Sequence, residues 1–247
     1  MDKYGLIGYP LGHSFSKGFF TDKFASEGIN AEYVNFELPS IEDFPEIISA
    51  HKNIKGLNVT IPYKEKVIPY LDSISKEARE IGAVNVVKVE RRGNHTRLTG
   101  YNSDVIGFMD SIEPLLKPHH KKALILGTGG SSKAVHYALT QKLGLEAVFV
   151  SRYERPDTVT YQNLNAEAVQ EYEVIVNCTP VGMFPNNDEA PAIPYEALTD
   201  KNLLFDLIYN PDCTRFMQLG AAHGAQVKNG LEMLILQAMA SWNFWNE

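Results

Sequence analysis

The chain has 247 residues, a formal net charge of -7, 44% hydrophobic residues and 21% charged residues. That balance belongs to an ordinary globular protein able to bury a full core in one or two domains. The acidic character argues against nucleic acid as a partner, since the densest cationic patch is only His119-His120-Lys121-Lys122.

Read in chain order, short strand-like runs alternate with helical ones. The first run, Tyr4–Gly8, begins almost at once and leaves no room for a signal-peptide core, so a cytoplasmic protein is expected. Gly12-His13-Ser14-Phe15-Ser16 then sets two hydroxyls two apart before a helix over Ser16–Glu27, where one can cap and the other face a ligand. A strand at Ala31–Glu37 and a helix at Ile41–His51 follow. In the next strand, Gly56–Thr60, alternation puts Asn58 and Thr60 on one side, and Ile61-Pro62-Tyr63-Lys64 comes directly after. Asn85 lies in the strand Ala83–Glu90, and Gly100-Tyr101-Asn102-Ser103-Asp104 adds a further carboxamide and a carboxylate. Single Asn and Asp residues are common in turns. Together these supply many neutral hydrogen-bonding groups with one Lys and one Asp, a set suited to a small polyhydroxylated ligand. A domain boundary is expected near Gly100–Pro118.

Beyond it a strand at Lys122–Gly127 runs into Gly127-Thr128-Gly129-Gly130-Ser131-Ser132 and a helix over Lys133–Leu143. Gly127 permits a tight turn, Gly129 allows a pyrophosphate to approach the backbone, and the helix start offers it N–H groups. Ser132 stands where the strict GxGxxG pattern has its third glycine. The next strand, Ala147–Ser151, ends at Arg152, with Arg155 close behind. A site built for NAD has an acidic residue there, whereas a guanidinium suits the 2′-phosphate of NADP. Strands at Val174–Cys178, Leu203–Asp206 and Ala225–Val227, a helix at Thr214–His223 and an apolar helix at Leu231–Trp245 complete the pattern. In that last helix Leu231, Leu234, Ile235, Ala238, Met239 and Trp242 share a face by spacing. Cys178 and Cys213 fit no metal spacing and the seven histidines form no HxxxH pair, so no metal is expected. No apolar run nears the roughly 18 residues of a membrane helix, so no membrane partner is expected either.

This alternation predicts α/β architecture with largely parallel sheets. The succession Ser14-Phe15-Ser16, Asn58–Lys64, Ala83–Asn85, Gly100–Gly107, Gly127–Ala134, Arg152, Asn177–Met183 and Gly230–Ala238 resembles the shikimate dehydrogenase family from residue 5 to about residue 240. The resemblance implies an N-terminal α/β substrate domain (1–104 and 230–247) and a Rossmann-type NADP-binding domain (105–229), with the C-terminal helix returning to the first. It also implies a substrate cleft between the domains at the strand C-termini. The implied reaction is the reversible NADPH-dependent reduction of 3-dehydroshikimate to shikimate, a step toward chorismate and the aromatic amino acids. Lys64 and Asp104 would be the catalytic pair. Ser14, Ser16, Asn58, Thr60, Asn85, Asp104, Tyr209 and Gln237 would hold the substrate. Gly127, Thr128, Gly129, Gly130, Ser131, Ser151, Arg152, Thr179, Leu207 and Gly230 would hold NADP. Three departures from the family pattern stand out: Ser103 for Thr, Ser151-Arg152-Tyr153 for Asn-Arg-Thr, and Thr128 and Ser131 for Ala. Quinate as a second substrate and NAD as a second cofactor stay open, as does the choice between monomer and homodimer.

Overall fold

The computed structural model describes residues 1–12, 15–93 and 95–247. The chain divides into two units, Met1–Ser103 with Ala238–Glu247, and Asp104–Gln237. In chain order the strands are β1 (Asp2–Gly8), β2 (Ala31–Glu37), β3 (Ile54–Val59), β4 (Ser73–Ile74), β5 (Val86–Arg92), β6 (His95–Tyr101), β7 (Lys122–Leu126), β8 (Glu146–Ser151), β9 (Thr158–Thr160), β10 (Val174–Asn177), β11 (Leu203–Asp206) and β12 (Gln226–Lys228). The helices are α1 (Phe15–Ser26), α2 (Phe44–Ala50), α3 (Lys76–Ile81), α4 (Asp104–Ile112), α5 (Gly130–Tyr137), α6 (Ala166–Gln170), α7 (Arg215–Ala222) and α8 (Leu231–Asn246). None of the described helices is long and apolar enough to cross a membrane.

In the first unit the sheet order is β2-β1-β3-β5-β6-β4. Side chains alternate between its faces, as a pleated strand requires. Ile7, Leu57, Val59, Val87 and Val89 pack on one side with Phe36, Phe44 and Ile48. Tyr4, Leu6 and Val86 pack on the other with Phe20, Phe24, Ala238 and Trp245. The sheet is largely parallel, through β2-β1, β1-β3 and β6-β4, while β3 pairs antiparallel with β5, and β5 with β6. The segment between β5 and β6 is too short for a crossover, so only a hairpin can join them. His95–Tyr101 escaped the sequence reading because its Thr, Arg and Thr leave Leu98 as the one buried apolar side chain of that strand.

The second unit carries the order β12-β11-β10-β7-β8-β9, with every adjacent pair parallel. This is the doubly wound dinucleotide-binding arrangement, whose strand order reverses beside β7. Leu124, Leu126, Val150, Ile175, Leu204 and Phe216 build its core. Thr214 caps α7 by accepting from the Met217 N–H, and Asn165 caps α6 in the same way through Ala168. The helix predicted over Lys133–Leu143 changes character part-way, α5 giving way to a π-helical turn over Ala138–Lys142.

The predicted face of α8 also needs correction. Leu231, Ile235 and Met239 are exposed, while Met233, Gln237, Ala238, Ser241 and Trp245 are buried. Spacing alone favoured the larger apolar side chains. The buried stripe instead contains two polar residues, Gln237 and Ser241, whose hydrogen-bonding groups are met internally.

Candidate active site

In the first unit, Ser16, Asn58, Asn85 and Ser103, singled out from the sequence, lie on one hydrogen-bonded network. Asn58, at the end of β3, points to the same face as Gly56. Two residues apart on a strand correspond to four apart on a helix lying across it, and α8 supplies Trp245 over Gly56 and Ser241 over Asn58. A side chain at position 56 would collide with the Trp245 indole. The Asn58 amide donates to the Ser241 hydroxyl at 2.8 Å and to the Asn85 carbonyl at 3.4 Å. That carbonyl can only accept, so it fixes the carboxamide orientation and leaves Oδ1 to accept from the Tyr33 hydroxyl at 2.9 Å. Tyr33 is also joined to Ser16 by a side-chain hydrogen bond, and burial pushes its pKa far above the usual phenol range.

Asn85 is held just as firmly. Its Oδ1 accepts from the Ser103 N–H at 2.6 Å, and its amide donates to the Ser103 hydroxyl, which in turn meets Ser241 at 3.0 Å. Asn102 donates to the Ala83 carbonyl and so ties the end of β6 to the segment preceding Asn85. Half-buried Thr60 begins a turn closed by the Tyr63 N–H on its carbonyl. The turn is pinned where the Val84 N–H donates to the Lys64 carbonyl at 2.7 Å. The Lys64 backbone is thereby fixed one residue from Asn85. Ser14 lies outside the described residues. Tyr33 and Ser241 were missed by sequence reasoning. The signal for Ser241 was its position four residues, one helical turn, beyond Gln237.

The other predicted substrate residues belong to the second unit. Buried Asp104 opens α4, where a carboxylate complements the helix dipole. Gln237 is buried on α8 and donates to the Leu234 carbonyl. Between them Gly107 lets the helices approach, since a Cβ there would sit 2.5 Å from the Met233 carbonyl. Tyr209 follows β11 and is exposed.

The glycine loop leaves β7 at Gly127, whose φ of +110° suits glycine. A Cβ at that position would approach the Thr179 methyl to 3.2 Å, whereas one at Gly129 would meet nothing within 4 Å. Gly129 is the N-cap of α5 and makes no side-chain cap bond there. Thr128 accepts from the Arg155 guanidinium at 3.3 Å. Ser151 is buried at the end of β8 and accepts from the Tyr153 N–H, while Arg152 is exposed beyond it. An open, glycine-lined cradle at a helix start, with two guanidiniums at its β8 side, fits a dinucleotide carrying a 2′-phosphate.

On the other side of β7, Thr179 donates from its N–H and hydroxyl to Asn177 Oδ1, at 3.0 and 2.6 Å. Asn177 and Asp206 end neighbouring strands in register, and the Asn177 amide donates to Asp206 at 3.0 Å. Leu207 and Gly230 also meet here. A side chain on Gly230 would strike the Leu207 carbonyl, and the Gly230 N–H donates to Ile208. The described residues hold no cluster of His, Cys, Asp and Glu able to bind a metal ion.

Residues 6–87 match the family described as the shikimate dehydrogenase substrate binding domain. A protein from Carboxydothermus hydrogenoformans named shikimate dehydrogenase (NADP(+)) is 36% identical, covering 98% of this chain and 90% of its own length. The chain belongs to the shikimate dehydrogenase family. Among solved structures, the shikimate dehydrogenase of Aquifex aeolicus superposes with a TM-score of 0.87 at 33% identity, over 99% of this chain and 92% of that one. The Thermus thermophilus shikimate 5-dehydrogenase, solved with NADP(H) and shikimate, gives a TM-score of 0.86 at 31% identity, over 99% and 93%. The α/β class and the Rossmann-type unit expected of a shikimate dehydrogenase are both present.

Proposed function

We propose that this protein catalyses the reversible, NADPH-dependent reduction of 3-dehydroshikimate to shikimate. The observation that carries the reading is the Thr60–Lys64 turn, whose bond from Val84 holds the Lys64 backbone one residue from Asn85, in a chain that covers 90% of the length of a shikimate dehydrogenase. Residues 1–104 and 230–247 act as the substrate domain and 105–229 as the cofactor domain. Ser14, Ser16, Asn58, Thr60, Asn85, Tyr209 and Gln237 take the carboxylate and hydroxyls of the small-molecule substrate. The glycine loop takes the pyrophosphate, Arg152 the 2′-phosphate, and Thr179, Leu207 and Gly230 the remainder of the cofactor. Bound NADPH supplies the hydride.

The protein's own residues manage the proton and the charge. Reducing a ketone places negative charge on its oxygen, which needs a donor at the moment it develops. The Lys64 ammonium gives its proton to that oxygen, and in the reverse direction the amine takes it back. Asp104, the other member of the catalytic pair, accepts from the neighbouring substrate hydroxyl. We place this reaction in the cytoplasm, carried out by a monomer or homodimer.

The test is absorbance of the reduced nicotinamide, with shikimate or quinate offered against NADP or NAD. Shikimate with NADP should be turned over fastest. A purified, folded protein that reduces neither cofactor with shikimate would sink the reading.

A further inference from the structure

Asp206 is a wholly buried carboxylate with no assigned task. Its surroundings fix both what it must be and what it holds. Asn177 is the key, because all four of its side-chain hydrogen-bonding positions are occupied. Its Oδ1 accepts twice from Thr179, while its amide donates to the Val181 carbonyl at 3.4 Å and to Asp206 Oδ1 at 3.0 Å. A backbone N–H can only donate and a carbonyl only accept, so this carboxamide cannot be turned over. Asp206 Oδ1 therefore faces an obligate donor, and it accepts a second bond from the Ile208 N–H at 3.0 Å. Its other oxygen accepts from the Thr214 hydroxyl at 2.6 Å, and Thr214 itself accepts from the Met217 N–H. Three donors thus converge on an acceptor-only group, and two of them govern loops. Through Asn177 the carboxylate sets residues 178–182; through Ile208 it sets the turn from Leu207 to Tyr209.

Both loops leave the C-terminal ends of β10 and β11. With the glycine loop after β7 and the guanidiniums after β8, the adenosine half of a dinucleotide lies toward β8 and its nicotinamide half toward β10 and β11. We propose that Asp206 is a positioning residue for the nicotinamide half of the cofactor, acting through Asn177 and the Ile208 N–H without touching the cofactor itself. This rests on the dehydrogenase reading above. The carboxylate form is required. A proton on Oδ2 would have to be donated to Thr214, and the Thr214 hydrogen would lose its acceptor at a site fully closed to water.

The ionisable groups nearby are Tyr195, whose pKa burial and then Asp206 raise, and Tyr161 and Arg215, which act on Tyr195. Burial pushes Asp206 itself up to about 6, against the opposing effect of its three hydrogen bonds.

Asp206→Asn mimics the protonated acid, presenting an amide donor to Thr214. Its kcat for shikimate oxidation should fall about 10- to 100-fold, as for a small misplacement of reacting groups. Its affinity for adenosine 2′,5′-bisphosphate, which occupies only the β8 side, should stay within about twofold. An unchanged kcat overturns the proposal. So does a parallel loss of bisphosphate affinity, which would mean that the whole unit had been disturbed. Should the variant fail to fold, Thr214→Val keeps both loop-facing donors and removes a bond that favours the carboxylate, together with the cap on α7. The acid fall-off of kcat should then move upward by about one pH unit, and an unmoved profile overturns the proposal. Wild-type protein inactive with shikimate would overturn the functional reading itself, and this inference with it.

Discussion

At Lys64 the chemistry of the whole reaction narrows to one proton. General acid–base groups contribute about 10²–10⁴ in rate, so Lys64→Ala should lower kcat by that order. Shikimate affinity should change much less, because the network through Asn58, Asn85 and Ser241 is untouched. Kinetics beside direct shikimate binding will separate the two, and near-normal turnover would assign the proton elsewhere. Arg152 is a similar single-residue question. A charged hydrogen bond contributes about 1.5–3 kcal/mol, so Arg152→Ala should raise KM for NADP roughly 10- to 100-fold while leaving KM for NAD almost unmoved.

Asp206 has a consequence for stability. Its pKa in the folded protein lies above the ordinary carboxylate value, so the folded state binds the proton more tightly than the unfolded one. The resulting contribution is fully present below pH ~4 and is lost as pH rises to about 6. Two pKa units set its ceiling at ~3 kcal/mol. Denaturant titrations of wild type and Asp206→Asn should therefore show wild type gaining on the variant between pH 7 and pH 4. A gap that stays constant would mean that Asp206 does not titrate in this range. The carboxylate costs stability at neutral pH, a common trade for residues kept for function.

Among the elements, β3 and α8 are matched at two successive positions on each. Gly56 and Asn58 face Trp245 and Ser241, one pair by close contact and the other by a hydrogen bond. Gly56→Ala should push the indole aside and cost about 1–3 kcal/mol, as overpacking does. Denaturation would read the loss, and an unchanged midpoint would mean that α8 sits less tightly than described. The central strands β7, β10 and β11 of the second unit were legible because each is an apolar run buried on both faces, as Val174–Val176 and Leu203–Phe205 illustrate, whereas the edge strand β9, Thr158–Thr160, was missed. β6 was not, since a strand of Thr and Arg carries no alternation to read. α4 was also missed: Val105, Phe108 and Ile112 have helical spacing, but Gly107 interrupts the run for the sake of α8. The same limit applied to α8, where the buried face is chosen by what fits against a partner rather than by hydrophobicity.

For the molecule as a whole, the motifs revealed the polar residues but not their wiring. Asn58 and Asn85 stand out in the sequence, while Tyr33, Ser241 and Asp206 look like ordinary strand and helix residues. Their roles depend on neighbours 25 to 183 positions away, a separation that no local pattern encodes.

The first unit is discontinuous, its sheet formed before Ser103 and the cover of one face completed only by residues from Ala238 onward. This has a consequence for the newborn chain. During synthesis Tyr4, Phe20 and Phe24 emerge early, but their partners Trp242 and Trp245 are more than 200 positions behind. The second unit, continuous in sequence, can close while the first still presents an open aromatic face to chaperones and proteases. A released chain ending at residue 237 should accordingly be cut readily within residues 1–103 and resist within the second unit. Protection of both units at that length would show that the sheet closes without α8.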